Sequence, residues 1–132
     1  MTYRTVDQVL RRGGVVTLPG RATVREASRL MAEHGIGAVL VMAEDRLDGI
    51  FTERDALNRV LAQDRDPDQT PLSEVMTREM VTVEPKTAAI DALRLMNEIG
   101  FRHLPIVEDG RVTGIISLRD FIGAEFQAAG KR

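Results

Sequence analysis

The sequence contains no cysteine and no tryptophan, and only 4% of its 132 residues are aromatic. Without cysteine, disulfides, thiolate nucleophiles and cysteine-based zinc or iron–sulfur sites are excluded together. The shortage of rings argues against the stacking platforms that grip single-stranded nucleic acid. An excess of one charge is lacking too. Eighteen basic and twenty acidic side chains leave a net charge of −2, so a general DNA or RNA binder is not expected, and polyanion affinity would need a local patch. No run approaches the roughly eighteen apolar residues of a membrane helix, and no apolar h-region follows Arg4. A soluble, cytoplasmic protein with no membrane partner is the expectation. His34 and His103 lack neighbouring ligand residues at metal spacing, so no metal site is expected.

What is present is a globular balance of 43% hydrophobic and 29% charged residues, at a length that suits one domain or two small fused halves. Sliding the sequence along itself exposes a repeat at an offset of 65 residues. Between positions 16 and 56 there are 13 identical pairs in 41 positions, among them Thr17/Thr82, Met31/Met96, Gly35/Gly100, Gly49/Gly114, Ile50/Ile115, Arg54/Arg119 and Asp55/Asp120. Unrelated chains would match at roughly 6% of positions. Residues 6–63 form the first copy with a short leading helix, 72–128 the second with its own, and the proline-bearing stretch 64–71 connects them.

Each copy carries the same pattern. A β-rich run (Val15 to Leu18; Val81 to Val83) reaches a proline turn and is followed by a helical stripe, Val24, Ala27, Leu30 and Met31 or Ala89, Leu93, Met96 and Ile99. Gly35 and Gly100 stand where a glycine ends those helices. Apolar runs Ala38–Met42 and Leu104–Val107 suit buried strands, and the turns at Asp45-Arg46 and Asp109-Gly110-Arg111 fold them into hairpins with Leu47–Phe51 and Val112–Ile116. A final helix is expected from Thr52 and from Ser117. The unit is β-α-β-β-α, an α+β (α/β) fold of two small mixed sheets backed by helices. About fifty residues bury too little apolar surface alone, so the copies are expected to pack together about a pseudo-twofold axis.

The last strand of each copy runs into Gly49-Ile50-Phe51-Thr52-Glu53-Arg54-Asp55 or Gly114-Ile115-Ile116-Ser117-Leu118-Arg119-Asp120. A hydroxyl residue at a helix start stands beside free backbone N–H groups and the positive end of the helix dipole, which favour a phosphate. Asp55 or Asp120, three residues on, has two oxygens that can accept from two vicinal hydroxyls. The glycine permits close approach, and Arg54 and Arg119 are candidate phosphate partners. The same spacing is also a capping box, in which the carboxylate returns a bond to the first amide and nothing is bound.

At these residues, and at Met76-Thr77 and Arg102-His103-Leu104-Pro105, the chain resembles a tandem pair of cystathionine-β-synthase (CBS) domains, a Bateman module, from about residue 6 to 126. The resemblance implies a regulatory sensor without turnover that holds an adenosine-containing ligand (AMP, ADP, ATP, NAD or S-adenosylmethionine) in the cleft between the repeats. It places Thr52 or Ser117 on a phosphate, Asp55 or Asp120 on the ribose, and Thr17 and Thr82 beside the adenine. It also implies that Ile36, Gly37 and Ala38, and Phe101, Arg102, His103 and Pro105, line the base pocket. The first copy carries Leu40 where the second has Pro105, so the two pockets are expected to differ in shape and ligand preference.

No Walker loop, nucleophile elbow or convincing carboxylate pair is present, so no enzyme and no catalytic cofactor are expected. A structural or interaction module with empty sites is the rival reading, and an enzyme acting on nucleotides a more distant one. The apolar faces of the terminal helices (Ala56, Leu57, Val60, Leu61; Phe121, Ile122, Phe126) exceed what a small unit can cover, which points to a homodimer alongside an effector protein that the sequence does not identify.

Overall fold

The structure, a computed structural model, describes residues 3–10 and 15–130. In chain order the elements are α1 (Val6–Val9), β1 (Thr17–Pro19), α2 (Val24–His34), β2 (Ala38–Ala43), β3 (Arg46–Thr52), α3 (Glu53–Asp55) continuing as a π-helical stretch Ala56–Leu61, α4 (Leu72–Val75), α5 (Ala89–Ile99), β4 (His103–Glu108), β5 (Arg111–Ser117), a 3-10 turn Leu118–Asp120, and α6 (Gly123–Ala129). The mixed α and β character expected from the sequence is present in two compact units. One spans Val15–Met80; the other joins residues 3–10 to the chain from Val81 onward.

In the unit Val15–Met80, β1 runs parallel to β2 and β2 antiparallel to β3. Helix α2 opens at Thr23, whose hydroxyl accepts the Glu26 N–H at 3.2 Å, and ends at Gly35 in the left-handed region at φ 63°. Its face of Val24, Ala27 and Met31 is buried with Val39, Val41 and Phe51 of the sheet. The β2–β3 turn falls at Glu44–Asp45, one residue before the expected position, since Ala43 pairs with Arg46.

In the other unit, β4 and β5 form a hairpin closed by Asp109 and Gly110, both at positive φ (51° and 78°), as an Asp-Gly turn requires. The strand expected at Val81–Val83 is not formed. Only Val83 makes a parallel bridge, to Ile106. The reason is Pro105. In the first copy the Leu40 N–H donates to Val16 O at 3.0 Å; Pro105 at the matching position has no N–H, so that ladder bond has no counterpart and the strand shrinks to one residue.

The leading helices are crossed. The sequence assigns each to the copy it precedes, but Val6 and Val9 of α1 are buried among Val83, Ala89, Ala92, Met96, Leu104 and Ile116, whereas Leu72, Val75 and Met76 are buried with the first copy. Backbone bonds fasten each one, Val6 N–H to Thr87 O (2.8 Å) and Leu72 N–H to Ala22 O (2.8 Å).

The terminal helices also depart from expectation. After Asp55 the chain takes a π-helical path. After Ser117 it makes one 3-10 turn, extends through Phe121 and Ile122, and begins α6 only at Gly123. Where the first copy has buried Val60, the second has Glu125, whose side chain is 2% exposed and ion-paired to Arg4. Arg4 donates from Nη2 to Oε1 at 2.7 Å and from Nε to Oε2 at 2.9 Å, and the Ile122 N–H adds a bond to Oε1 at 3.0 Å. A carboxylate so held needs the preceding amide turned toward it, which is the extended break before Gly123. The Arg4 hydrogen bond, against the opposing push of burial, holds the Glu125 carboxyl below its ordinary value. Among the described residues no helix is long and apolar enough to cross a membrane.

Candidate functional site

The hairpin register carries the two halves of each expected site to the same sheet end. Ala38 pairs with Thr52 across β2 and β3, and His103 with Ser117 across β4 and β5. The residue after the hydroxyl then bonds back to the strand entry, Glu53 N–H to Gly37 O at 3.0 Å and Leu118 N–H to Arg102 O at 3.1 Å. So Gly37, Ala38, Thr52 and Asp55 gather in one unit, and Arg102, His103, Ser117 and Asp120 in the other. Thr17 lies at the start of β1, opposite Leu40. Thr82 is exposed and outside any strand, contrary to its expected place. Ile36 is half-buried against the core, whereas Phe101 is exposed. Pro105 is buried, its carbonyl accepting from the Val83 N–H at 3.0 Å. Arg54, Arg102 and Arg119 are exposed.

A family model described as the CBS domain matches residues 6–62 and again 72–126. The chain belongs to the CBS-domain family. It carries two CBS domains in tandem, a Bateman module. It is 42% identical over 106 residues to the Bacillus subtilis CBS domain-containing protein YhcV, covering 80% of this chain and 75% of that protein. Among solved structures, a protein with CBS domains from Burkholderia ambifaria matches with a TM-score of 0.86 at 35% identity, covering 98% of this chain and 97% of the other. The CBS domain protein PAE2072 of Pyrobaculum aerophilum, determined in complex with AMP, matches with a TM-score of 0.86 at 27% identity, covering 98% of this chain and all (100%) of that one. Other curated relatives are longer, this CBS pair spanning between 21% and 66% of their length.

The two CBS domains hold their aspartates differently. Asp55 is 7% exposed. Its Oδ2 accepts from the Thr52 N–H (3.0 Å) and hydroxyl (3.1 Å), and the Thr52 hydroxyl in turn accepts the Asp55 N–H at 3.1 Å, a complete capping box. The Thr77 hydroxyl donates to Oδ1 at 3.2 Å, and Arg59 Nε stands 3.5 Å from the same oxygen. Asp120 is half-exposed. Its Oδ2 accepts from the Ser117 N–H at 2.7 Å and hydroxyl at 3.3 Å, and its Oδ1 has no hydrogen-bond partner among the described residues.

Thr77 and Arg59 were not singled out as partners of Asp55 by the sequence. Arg59 was findable, because a basic residue four after an aspartate in a helical pattern is a standard pair. Thr77 was not, since it stands 22 positions along the chain from Asp55 and only the tertiary fold joins them.

Two expected roles change. A Cβ on Gly49 would lie 2.6 Å from Met76 Sδ and 3.0 Å from Thr77 O, and one on Gly114 would lie 2.6 Å from Leu10 Cδ2. These glycines therefore make room for the leading segments, not for a ligand. The helix-dipole support expected at Ser117 is reduced to one 3-10 turn, so a phosphate there would rely on turn N–H groups and arginine. Among the described residues no cluster of metal-ligating side chains occurs, and His34 bonds Leu30 O at 2.9 Å.

Proposed function

We propose that this CBS pair is the sensing part of a regulatory system and binds an adenosine-containing ligand: AMP, ADP, ATP or NAD, with S-adenosylmethionine in the same class. The observation that carries it is Asp120 Oδ1, an acceptor with no hydrogen-bond partner among the described residues, at a strand end that also bears Arg102, Arg119 and the exposed ring of Phe101. A ribose hydroxyl, a phosphate and a purine face are the groups such a set accommodates. The AMP complex of the Pyrobaculum relative supports the same class. Ligand occupancy would bias two arrangements of the module by differential affinity, and an effector protein would read the outcome.

The test is a thermal-shift series with AMP, ADP, ATP, NAD and S-adenosylmethionine. A true ligand at 100 times its Kd adds about 2.7 kcal/mol of stability. No shift with any of them would favour a structural or interaction module with empty sites, and recovery of a chemically altered nucleotide after long incubation would favour an enzyme.

A homodimer belongs to the same proposal. Leu57 and Leu61 on the π-helical stretch of one unit, and Ile122 and Phe126 at α6 of the other, are exposed, apolar side chains of the kind that a second copy would cover. Light scattering at micromolar concentration is expected to give twice the chain mass; the monomer mass would overturn it.

A further inference from the structure

We propose that Thr77 is an internal competitor for the Asp55 carboxylate, so that the first CBS repeat accepts an adenosine ligand only by displacing this hydroxyl, and fills after the second repeat. The inference rests on the proposed ligand class and adds a residue that sets the order of filling.

A carboxylate offers about four acceptor directions. Asp55 gives two to the Thr52 N–H and hydroxyl, and Thr77 Oγ1 reaches both oxygens at 3.2 and 3.4 Å. Arg59 Nε stands 3.5 Å from Oδ1 as an ion-pair partner. Two vicinal hydroxyls arriving at this carboxylate meet the Thr52 and Thr77 donors on both oxygens, whereas Asp120 Oδ1 has no hydrogen-bond partner among the described residues.

Thr77 is held at its post by backbone as well as side chain. It exchanges two bonds with Ile50, N–H to O at 2.8 Å and the reverse at 2.9 Å. Gly49 lets Met76 and Thr77 lie flush against β3, and Arg59 Nη1 donates to Met76 O at 3.1 Å. The competitor is thus delivered by the segment that leads into the second repeat. With the leading segments matched as they pack, Met76 on Gly49 and Leu10 on Gly114, the matching sequence position of the other copy is Arg11, which carries no hydroxyl.

The experiment is AMP titration calorimetry in an Asp120→Asn background, which isolates the first repeat, with and without Thr77→Val. Valine keeps the shape of threonine and removes the donor, and Thr77→Ser restores it. We expect Thr77→Val to tighten AMP binding at the first repeat about five- to tenfold, with Thr77→Ser at the background value. Unchanged or weaker binding in Thr77→Val, while the unmodified protein binds AMP at its second repeat, overturns the competitor and leaves the ligand class standing. No AMP or other adenosine ligand bound at either repeat of the unmodified protein overturns both. Melting temperatures of every variant establish that it is folded.

Discussion

Replacing Asp120 by glutamate is expected to leave the ligand-free protein's stability within about 0.5 kcal/mol and to weaken AMP or NAD binding about 10- to 150-fold. Glutamate serves at least as well as aspartate in returning a bond to the first amide of a capping box, so the Ser117 N–H remains satisfied. The added methylene moves the open oxygen by roughly 1.5 Å, and a charge-assisted bond of about 1.5–3 kcal/mol to a ribose hydroxyl is lost. The same change at Asp55 has a different cost. The sequence alone predicts an equally harmless cap substitution, but the buried carboxylate already touches Thr52, Thr77 and Arg59. An extra methylene there is overpacking, at about 1–3 kcal/mol. Melting temperature without ligand, together with ligand affinity, reads both variants. If Asp120→Glu melts normally and binds as tightly as the parent, Asp120 is a cap and the ligand assignment is wrong.

A large loss of stability is expected from Arg4→Met. It strands the Glu125 carboxylate, 2% exposed, with the Ile122 N–H as its one remaining hydrogen-bond donor among the described residues. Removing one partner of a fully buried ion pair costs about 3–5 kcal/mol; with Arg4 itself 35% exposed, about 2–3 kcal/mol is the discounted figure. For a unit of this size that lowers the melting temperature by roughly 8–20 °C.

The pH dependence has a definite sign. In the unmodified protein the depressed Glu125 carboxyl contributes stability that is complete above the ordinary glutamate value of 4.5 and is lost as pH falls through its lower folded value. In Arg4→Met, burial without the arginine pushes that carboxyl up instead, so the deficit is greatest near neutrality and shrinks toward pH 4.5. Arg4→Met combined with Glu125→Leu should recover part of the loss, since an apolar pair often replaces a buried ionic one at little cost. A melting temperature for Arg4→Met within two degrees or so of the parent at pH 7 would contradict the role given to the pair.

The register that pairs Ala38 with Thr52 and His103 with Ser117 came from the structure, whereas the repeat at an offset of 65, the helices ended by Gly35 and Gly100, and the presence of a hairpin in each copy were legible in the sequence. These depend on local pattern: apolar periodicity, left-handed glycine and turn chemistry act over a few residues. The loss of the second copy's first strand was legible in principle as well, because Pro105 stands where Leu40 supplies a ladder N–H. Tertiary structure alone decided the rest. Which copy each leading helix packs against depends on where its apolar side chains are buried, α1 with the second copy and α4 with the first. The break before α6 follows from an ion pair between residues 121 positions apart. Likewise, matched motifs acquired unmatched carboxylates because Thr77 donates to Asp55 and Arg59 stands 3.5 Å from it, while Asp120 Oδ1 has no hydrogen-bond partner among the described residues. Hydrogen-bond saturation is a property of a site's whole surroundings, and long-range chain folding supplies those surroundings.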